Sequence, residues 1–430
     1  MGRRLLLDTR PLRESANFRR LTAGSALSQV GGQMTTYAVA LQVFTLTGSS
    51  AAVGGIGLAA GVPSIVVGLL AGPVVDAVDR RRLVLVTSAL ATAFSALFAA
   101  QAFAGMRSVW LLYGLVAAQY ALSSLTAPAR RTFLPRLLPP HLVPAGAAIT
   151  MLTMHLGMVG GPTLAGLVTA GGGLKLCYLL DSVSFAGSLY AVFRLPPMPP
   201  AGTPARIGPA ALVEGLGFIR RSRVVLGALL ADLSATALAM PIALFPAVNA
   251  ERFGGSPTTL GLLSAALAAG GILGTALSGP VSHVTRPGRA MLACVVAWSA
   301  GLAGFGLADG FALTFGFLVL AGIADVLTVV FRSTVLLTAT PDEVRGRVSA
   351  AEFVVGAGAP QVGNFRAGVL ASLTTPGTSA VIGGVSSLAG AALIALALPA
   401  LFRYHLEPAA SPQTPGPPLS RRPPLTPPTG

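Results

Sequence analysis

The sequence predicts an all-α membrane protein with twelve transmembrane helices in two pseudo-symmetric halves of six helices each. Of its 430 residues, 53% are hydrophobic and only 10% are charged, whereas about a quarter of the residues in soluble domains are charged. Apolar windows of about 20 residues, the length that crosses the hydrocarbon core of a bilayer, can be placed twelve times. The chain also contains an internal repeat at nearly half its length.

The twelve windows define predicted helices 1 to 12. They begin near Leu21, Ala51, Leu83, Val109, Ala145, Leu176, Val224, Thr259, Ala290, Phe311, Val348 and Ala380. The segments that follow from them are a basic amphipathic segment (1–20), a first half (21–194), a linker (195–222), a second half (223–403) and a proline-rich tail (404–430). The tail is too rich in proline to build a core, so we predict that it is disordered.

The internal repeat has a displacement of 207 residues and joins the two halves. Six positions keep both identity and spacing: Gly48, Ser49, Gly54, Gly72, Pro73 and Val74 return as Gly255, Ser256, Gly261, Gly279, Pro280 and Val281. Chance rarely gives such agreement over two long apolar segments. In membrane proteins, duplicated halves place a substrate path at their interface, which opens alternately to each side.

The basic residues predict the orientation of the helices. With the N-terminus inside, 25 of the 29 Lys and Arg residues fall in predicted cytoplasmic segments, three of them in the segment after helix 10. Only Arg107, Lys175 and Arg252 lie outside, and Arg366 falls within helix 11. The positive-inside rule therefore predicts a multi-pass protein of the inner (plasma) membrane with both termini cytoplasmic.

The net charge of +15 does not require nucleic acid as a partner. The basic residues are scattered over short loops and form no continuous stripe with interleaved aromatic residues, which nucleic-acid binding would need. Topology and the anionic lipids of the inner leaflet account for them. The lipid bilayer is therefore the predicted partner of this charge.

The end of helix 2 carries a motif of glycine, aspartate and arginines. Gly72, Asp76, Arg80 and Arg81 match a loop signature of the major facilitator superfamily, although Asp79 stands where that signature has glycine. The resemblance implies a gate in which Asp76 packs against the start of helix 11. By the repeat, His283 takes the equivalent position opposite the start of helix 5. Simple positive-inside anchoring is the alternative for the two arginines.

Helix 5 carries small residues at a four-residue spacing around a proline. Gly157, Gly161, Pro162 and Gly166 are similar to the antiporter motif of the same superfamily, with Ala165 in place of one glycine. Small residues at this spacing let two helices approach closely, so ordinary packing is the alternative. The resemblance implies export rather than import.

Three further stretches are similar to the enterobactin (siderophore) exporter branch of the superfamily. They are residues 145–153, 282–288 and 341–347. The resemblance covers roughly residues 10–405 and implies proton-driven export of a catecholate siderophore or a related product. The intramembrane arginine that many members carry on helix 4 is absent, because Val116 stands in its place.

Charged residues within the apolar windows are costly and are therefore functional candidates. At a rise of 1.5 Å per residue, Asp232 lies roughly 14 Å into helix 7 and Asp325 roughly 20 Å into helix 10. Both are near the midplane, and the resemblance implies that helices 1, 4, 7 and 10 line a central cavity. We therefore predict that Asp232 and Asp325 couple protons. Asp181 and His155 are expected to be structural.

Other polar residues in the windows are candidates for substrate binding. Gln33, Tyr37 and Gln119 can hydrogen-bond a polyhydroxylated substrate, although helix bridging is the alternative. Arg366 is predicted to be a cavity cation, with snorkelling to the outer headgroups as the alternative. Glu352 lies near the inner end of helix 11, and we expect it to meet cytoplasmic arginines.

The sequence predicts no enzyme activity, no metal and no cofactor. A phosphate-binding loop needs a lysine after its glycines, but the only lysine is Lys175, which is followed by leucine. No catalytic constellation is present, and the two cysteines lie inside apolar helices. The energy source is then the proton gradient.

We therefore predict a proton-coupled secondary transporter that exports a small organic molecule by alternating access. A siderophore is the first candidate cargo, and a drug or antibiotic is the second. A nutrient importer and a receptor or scaffold that uses the proline-rich tail are the rivals. A monomer is expected.

Overall fold

The computed structural model describes residues 8–198, 209–279 and 284–406, without the side chains of residues 72–77 and 209–213. These residues form helices and connecting turns and include no strand. The helices are α1 (Arg10–Glu14), α2 (Ala16–Thr47), α3 (Ser50–Ala77), α4 (Arg80–Phe103), α5 (Val109–Arg131), α6 (Leu134–Leu137), α7 (Val143–Phe193), α8 (Pro209–Arg221), α9 (Arg223–Leu238), α10 (Phe245–Arg252), α11 (Pro257–Ala276), α12 (Pro287–Leu307), α13 (Phe311–Ala339), α14 (Asp342–Leu373), α15 (Pro376–Ala397) and α16 (Pro399–Arg403). The all-α class is confirmed.

Three of the predicted helices have boundaries that the apolar windows do not show. Predicted helices 5 and 6 are continuous in α7, and the turn between them is made at Gly173, whose φ of 72° only glycine adopts without strain. Predicted helix 7 is divided into α9 and α10 around Pro241 and a short 3₁₀ turn, Ile242–Leu244. Proline lacks the N–H that a continuous helix requires, so the division falls there.

Nine stretches of the described chain are long and apolar enough to cross a membrane, as judged by length and composition. One of them, Pro140–Phe193, contains two predicted helices. The helices α2 and α14 have 32 residues each but are not among the nine. Twelve crossings require both of these helices and a division at Gly173, so the number twelve stays a prediction.

Several described helices begin or end away from the predicted segment boundaries. The described part of the basic segment 1–20 contains α1, which has five residues, and the beginning of α2 at Ala16. Helix α14 begins at Asp342, six residues before the predicted window at Val348. The start of the tail, residues 404–406, is described, and residues 407–430 lie outside the described part of the chain.

The linker between the halves contains α8, which packs against α14. Oε2 of Glu214 forms an ion pair with Nε of Arg347 at 2.9 Å. The absence of a side chain at Gly215 leaves room for the carbonyl group of Arg347. The end of the bundle at which α8 lies is called the linker end below, and the opposite end is called the distal end. By the charge pattern, the linker end is predicted to be cytoplasmic.

The two halves contact each other mainly through α3 with α14 and α7 with α11. At the distal end both contacts are made by glycines. A Cβ atom on Gly368 would lie 3.2 Å from Cα of Gly54, and one on Gly166 would lie 3.2 Å from Cα of Gly261. Only glycine permits backbones to approach this closely. The pairs are related by the pseudo-symmetry of the chain and close the distal end in the same way.

Candidate functional site

A central cavity of about 320 Å³ lies where the two halves meet. It is lined by α2, α3, α5 and α7 from the first half, and by α10, α11, α13, α14 and the turn before α10 from the second. Most of the lining is aliphatic, and a few polar side chains converge on it: Gln33, Tyr37, Tyr120, His155, Asp325 and Gln361. A mostly apolar cavity with a few polar groups is typical of a site for a small organic molecule.

Two of the four predicted substrate-binding residues line this cavity. Gln33 and Tyr37 do so from α2, and the Tyr37 hydroxyl donates to the carbonyl oxygen of Pro257 at 2.7 Å, across the interface of the halves. Gln119 is not among the lining residues, and its amide nitrogen is buried without a hydrogen-bond partner in the described structure. The neighbouring Tyr120 lines the cavity in its place.

The structure does not bring Arg366 into the cavity. Its guanidinium donates to the carbonyl oxygen of Leu238, the last residue of α9, and lies close to Gly383 of α15. Carbonyl groups at a helix end lack an intrahelical partner. In this structure the Arg366 guanidinium therefore caps the end of α9, where the predicted helix 7 divides.

The two predicted proton carriers occupy different environments. Asp325 lies in the cavity wall and forms no hydrogen bond or ion pair with any described residue. Asp232 is only 3% exposed, and its Oδ2 atom accepts from Nη1 of Arg332 at 2.5 Å. Nη2 of Arg332 lies 3.3 Å from Oε1 of Glu352. Asp232 is therefore one member of an ion-paired triad, whereas the Asp325 carboxyl faces the cavity.

Arg332 is the buried charged residue beside the predicted site that the sequence analysis missed. The charge count placed it in the cytoplasmic segment after predicted helix 10, but α13 continues to Ala339 and Arg332 is only 8% exposed. Glu352 does pair with an arginine that the charge count placed in a cytoplasmic segment, but that arginine, Arg332, lies within α13. The two ion pairs of Arg332 form because Asp232, Arg332 and Glu352 project from three neighbouring helices into one buried space.

A second internal repeat could have pointed to Arg332. Six residues near the end of α5 recur 202 positions later near the end of α13: Leu125, Thr126, Arg130, Thr132, Leu134 and Pro139 return as Leu327, Thr328, Arg332, Thr334, Leu336 and Pro341. Arg332 is thus the counterpart of Arg130, which lies at the end of an apolar helix of the first half. Its displacement differs from 207, so a search at a single displacement does not find it.

The gating motif is described only in part. The side chains of Gly72 and Asp76 and the whole of His283 lie outside the described structure, so the packing predicted for Asp76 stays a prediction. Nη2 of Arg81 donates to the carbonyl oxygen of Phe193 at 2.6 Å, and the backbone N–H of Arg80 donates to Met198 at 3.1 Å. The arginines thus hold the α3–α4 loop against the start of the linker.

The antiporter motif of α7 contacts two different helices. Cβ atoms on Gly157 and Gly161 would meet Gln29 and Gln33 of α2, whereas one on Gly166 would lie 2.7 Å from the carbonyl oxygen of Pro257 in α11. Pro162, between them, lines the cavity. The motif therefore joins the helix that carries two of the polar cavity residues to the opposite half.

The two residues expected to be structural differ. Asp181 is fully buried, and its Oδ2 accepts from Ser95 at 2.5 Å and from Thr35 at 2.7 Å, which ties the second part of α7 to α4 and α2. His155 lies in the cavity lining, with Nδ1 at 2.9 Å from the carbonyl oxygen of Met151. Within the described residues, no group of His, Cys, Asp and Glu is suited to hold a metal.

Comparisons with known proteins identify the family. The sequence profile of the family described as transmembrane secretion effectors matches residues 8–422. The chain is 32% identical over 269 residues to proteins named enterobactin exporter EntS from Escherichia coli and Escherichia fergusonii. That alignment covers 62% of this chain and 64% of the exporters, so the chain is matched over less than two thirds of their length.

Solved structures support the same fold. The nucleoside transporter NupG aligns with 90% of this chain and 100% of its own, with a TM-score of 0.74 at 14% identity. A bacterial homologue of the iron transporter ferroportin in an inward-facing state aligns over 90% and 98%, with a TM-score of 0.66 at 16% identity. The relatives are transporters rather than enzymes, and the chain belongs to the transmembrane secretion effector family of the major facilitator superfamily.

Proposed function

We propose that the protein is a secondary transporter that exports a small organic molecule, first of all a siderophore of the enterobactin type, in exchange for protons. The observation that carries this proposal is the central cavity. It lies between two pseudo-symmetric halves, and its lining includes two hydrogen-bonding residues of α2 and the carboxyl group of Asp325, which has no partner among the described residues. The similarity to enterobactin exporters supports the choice of cargo.

In the proposed mechanism, the halves rock about the cavity so that it opens alternately to each side. The glycine contacts at the distal end close that side, and they must separate for cargo to leave. Protonation of Asp325 from the distal side changes the charge of the cavity wall and hence the affinity for cargo. A ligand shifts such an equilibrium only through a difference in its affinity for the two states.

Export from everted membrane vesicles tests the proposal. A proton gradient is established across the membrane of vesicles that contain the protein. Uptake of enterobactin is then measured with and without a protonophore. We expect uptake that requires the gradient and is unchanged by removal of ATP. Uptake that survives the protonophore and depends on ATP would exclude secondary transport.

A second cargo class is favoured by the aliphatic part of the cavity. Met158 and Met240 line it from opposite halves, and methionine adapts to varied apolar shapes. A drug or antibiotic exporter would use this surface. Parallel uptake measurements with a hydrophobic cation and with enterobactin separate the two cargo classes.

A further inference from the structure

A second cavity, of about 390 Å³, lies at the linker end between α2, the end of α5 and the first part of α7. We call it the vestibule. Its lining includes Arg130 and Arg131, several hydroxyl-bearing side chains and Gln29, and it contains no acidic residue among the described ones. It adjoins the central cavity, because Gln29 and Gln33 are one turn apart on α2 and line the two spaces.

Arg130 in the vestibule is the pseudo-symmetric counterpart of Arg332. The arginine of the second half is neutralised by Asp232 and Glu352. The arginine of the first half contacts only neutral groups: Nη1 donates to Oγ of Ser25 and Nη2 to Oγ of Ser88, each at 3.3 Å. No ion pair of Arg130 is formed within the described structure.

The positions that hold acids in the second half hold hydroxyls in the first. Ser25 is related to Asp232 by the displacement of 207 that also relates the helix caps Ser15 and Ser222. Thr150 is related to Glu352 by the displacement of 202 that relates Gly166 to Gly368. Both Ser25 and Thr150 line the vestibule. The first half thus retains the arginine, but hydroxyl groups beside an open space replace the two carboxylates.

A partly buried guanidinium without a counter-charge is unfavourable, and arginine is well suited to bind planar or tetrahedral anionic oxygen groups. We propose that the vestibule binds such a group, a carboxylate, catecholate or phosphate, on Arg130, with the surrounding hydroxyls as further donors. An anionic cargo would first bind there before it moves one turn along α2 into the central cavity. This last step rests on the proposed export, whereas the anion site itself does not.

Equilibrium binding to the full-length protein in nanodiscs of zwitterionic lipid tests the site. The probes are 2,3-dihydroxybenzoate and its neutral amide, 2,3-dihydroxybenzamide, without a proton gradient. We expect the wild type to bind the carboxylate at least ten-fold more tightly than the amide. Arg130→Gln should remove this preference, whereas Arg107→Gln, on the predicted opposite side, should keep it.

The pseudo-symmetry supplies a sharper pair of variants. Ser25→Asp places a carboxylate where the second half has one, so it should occupy Arg130 and abolish the preference for the anionic probe. Ser25→Asn has nearly the same size without the charge and should retain the preference. This pair of variants tests whether the anion binds on Arg130 even if Arg130→Gln does not fold. Equal binding of the two probes by the wild type, or an unchanged preference in Ser25→Asp, would overturn the proposal.

A lipid headgroup offers the same chemistry as a soluble anion. Binding is therefore repeated in nanodiscs that contain phosphatidylglycerol. If this lipid leaves binding of the carboxylate probe to the wild type unchanged, the site takes the soluble anion, as proposed. If the lipid displaces the probe from both the wild type and Arg107→Gln, the site belongs to lipid phosphate and the cargo step is overturned. Anion binding without export in vesicles would refute the proposed function alone.

Discussion

Gly166 and Gly261 meet so closely that a single added carbon on Gly166 would lie 3.2 Å from the Cα atom of Gly261 and 2.7 Å from the carbonyl oxygen of Pro257. These neighbours are backbone atoms, which cannot turn away as a side chain can. A larger residue at position 166 must therefore separate α7 from α11. The closed distal end depends on this contact and on its counterpart between Gly54 and Gly368.

We predict that Gly166→Leu opens the distal end. A reporter cysteine at Ser264, which lines the central cavity, should react several-fold faster with a membrane-impermeant thiol reagent applied from the distal side. The measurement uses a background in which Cys177 and Cys294 are replaced by alanine. Gly160→Leu is the matched control, since a Cβ atom there would meet no described atom within 4 Å. Equal reactivity in the two variants would contradict the role of the contact.

We predict that loss of Arg332 destabilises the protein more than loss of Asp232. Arg332→Leu leaves two carboxyl groups without their partner, which costs about 3–5 kcal/mol when one side of a buried pair is removed. Asp232→Asn leaves Arg332 paired with Glu352 and should cost less. Thermal unfolding in detergent checks the order. A double variant, Arg332→Leu with Asp232→Asn, should be less unstable than the sum of the single variants.

We predict that Asp325→Asn abolishes proton-driven export but leaves the protein stable. The amide keeps the shape of the carboxyl group and cannot titrate, and Asp325 has no described partner that would be lost. Export and equilibrium binding of cargo are measured together. The control is Asp309→Asn, at an exposed position between α12 and α13. Gradient-driven export by Asp325→Asn at the wild-type rate would move the coupling role elsewhere, with His155 as the next candidate in the cavity.

We predict that a chain without residues 407–430 retains export. Residues 407–430 lie outside the described part of the chain. The described part ends with a hydrogen bond from the backbone N–H of Leu406 to the carbonyl oxygen of Thr285 at 2.9 Å. A receptor or scaffold that uses the proline-rich tail would instead lose its activity with the tail. Uptake into everted vesicles is measured at matched expression of both proteins.

Much of this architecture follows from sequence, because lipid imposes simple demands on it. Apolar length predicts membrane helices, and the repeat at 207 predicts the glycines that close the interface, since Gly54 and Gly261 are two of its six positions. Predicted residues that line the cavity, such as Tyr37 and Asp325, were found through their polarity within apolar windows. These features depend on composition and spacing along the chain.

Apolar length alone does not predict the buried triad, because its ion pairs depend on where helices end and how they are rotated. Arg332 lies near the end of an apolar window, where a loop arginine and a buried arginine look alike in sequence. Arg366 shows the opposite case: the apolar window predicts its place within helix 11, but its partner is a carbonyl group freed by the division between α9 and α10. Backbone groups of that kind are not visible in a hydropathy pattern.

The triad also sets an order in which the second half can assemble in the membrane. A charged residue at the centre of a helix costs roughly 2.5–3.5 kcal/mol on insertion scales, and α13 carries both Asp325 and Arg332. When α13 emerges from the ribosome, Asp232 on α9 has already been synthesised, whereas Glu352 on α14 has not. Asp232 is then the counter-charge available at insertion, and Glu352 joins after α14 has formed. A fragment that contains α13 without α9 should accordingly be retained less well in the membrane than one that contains both.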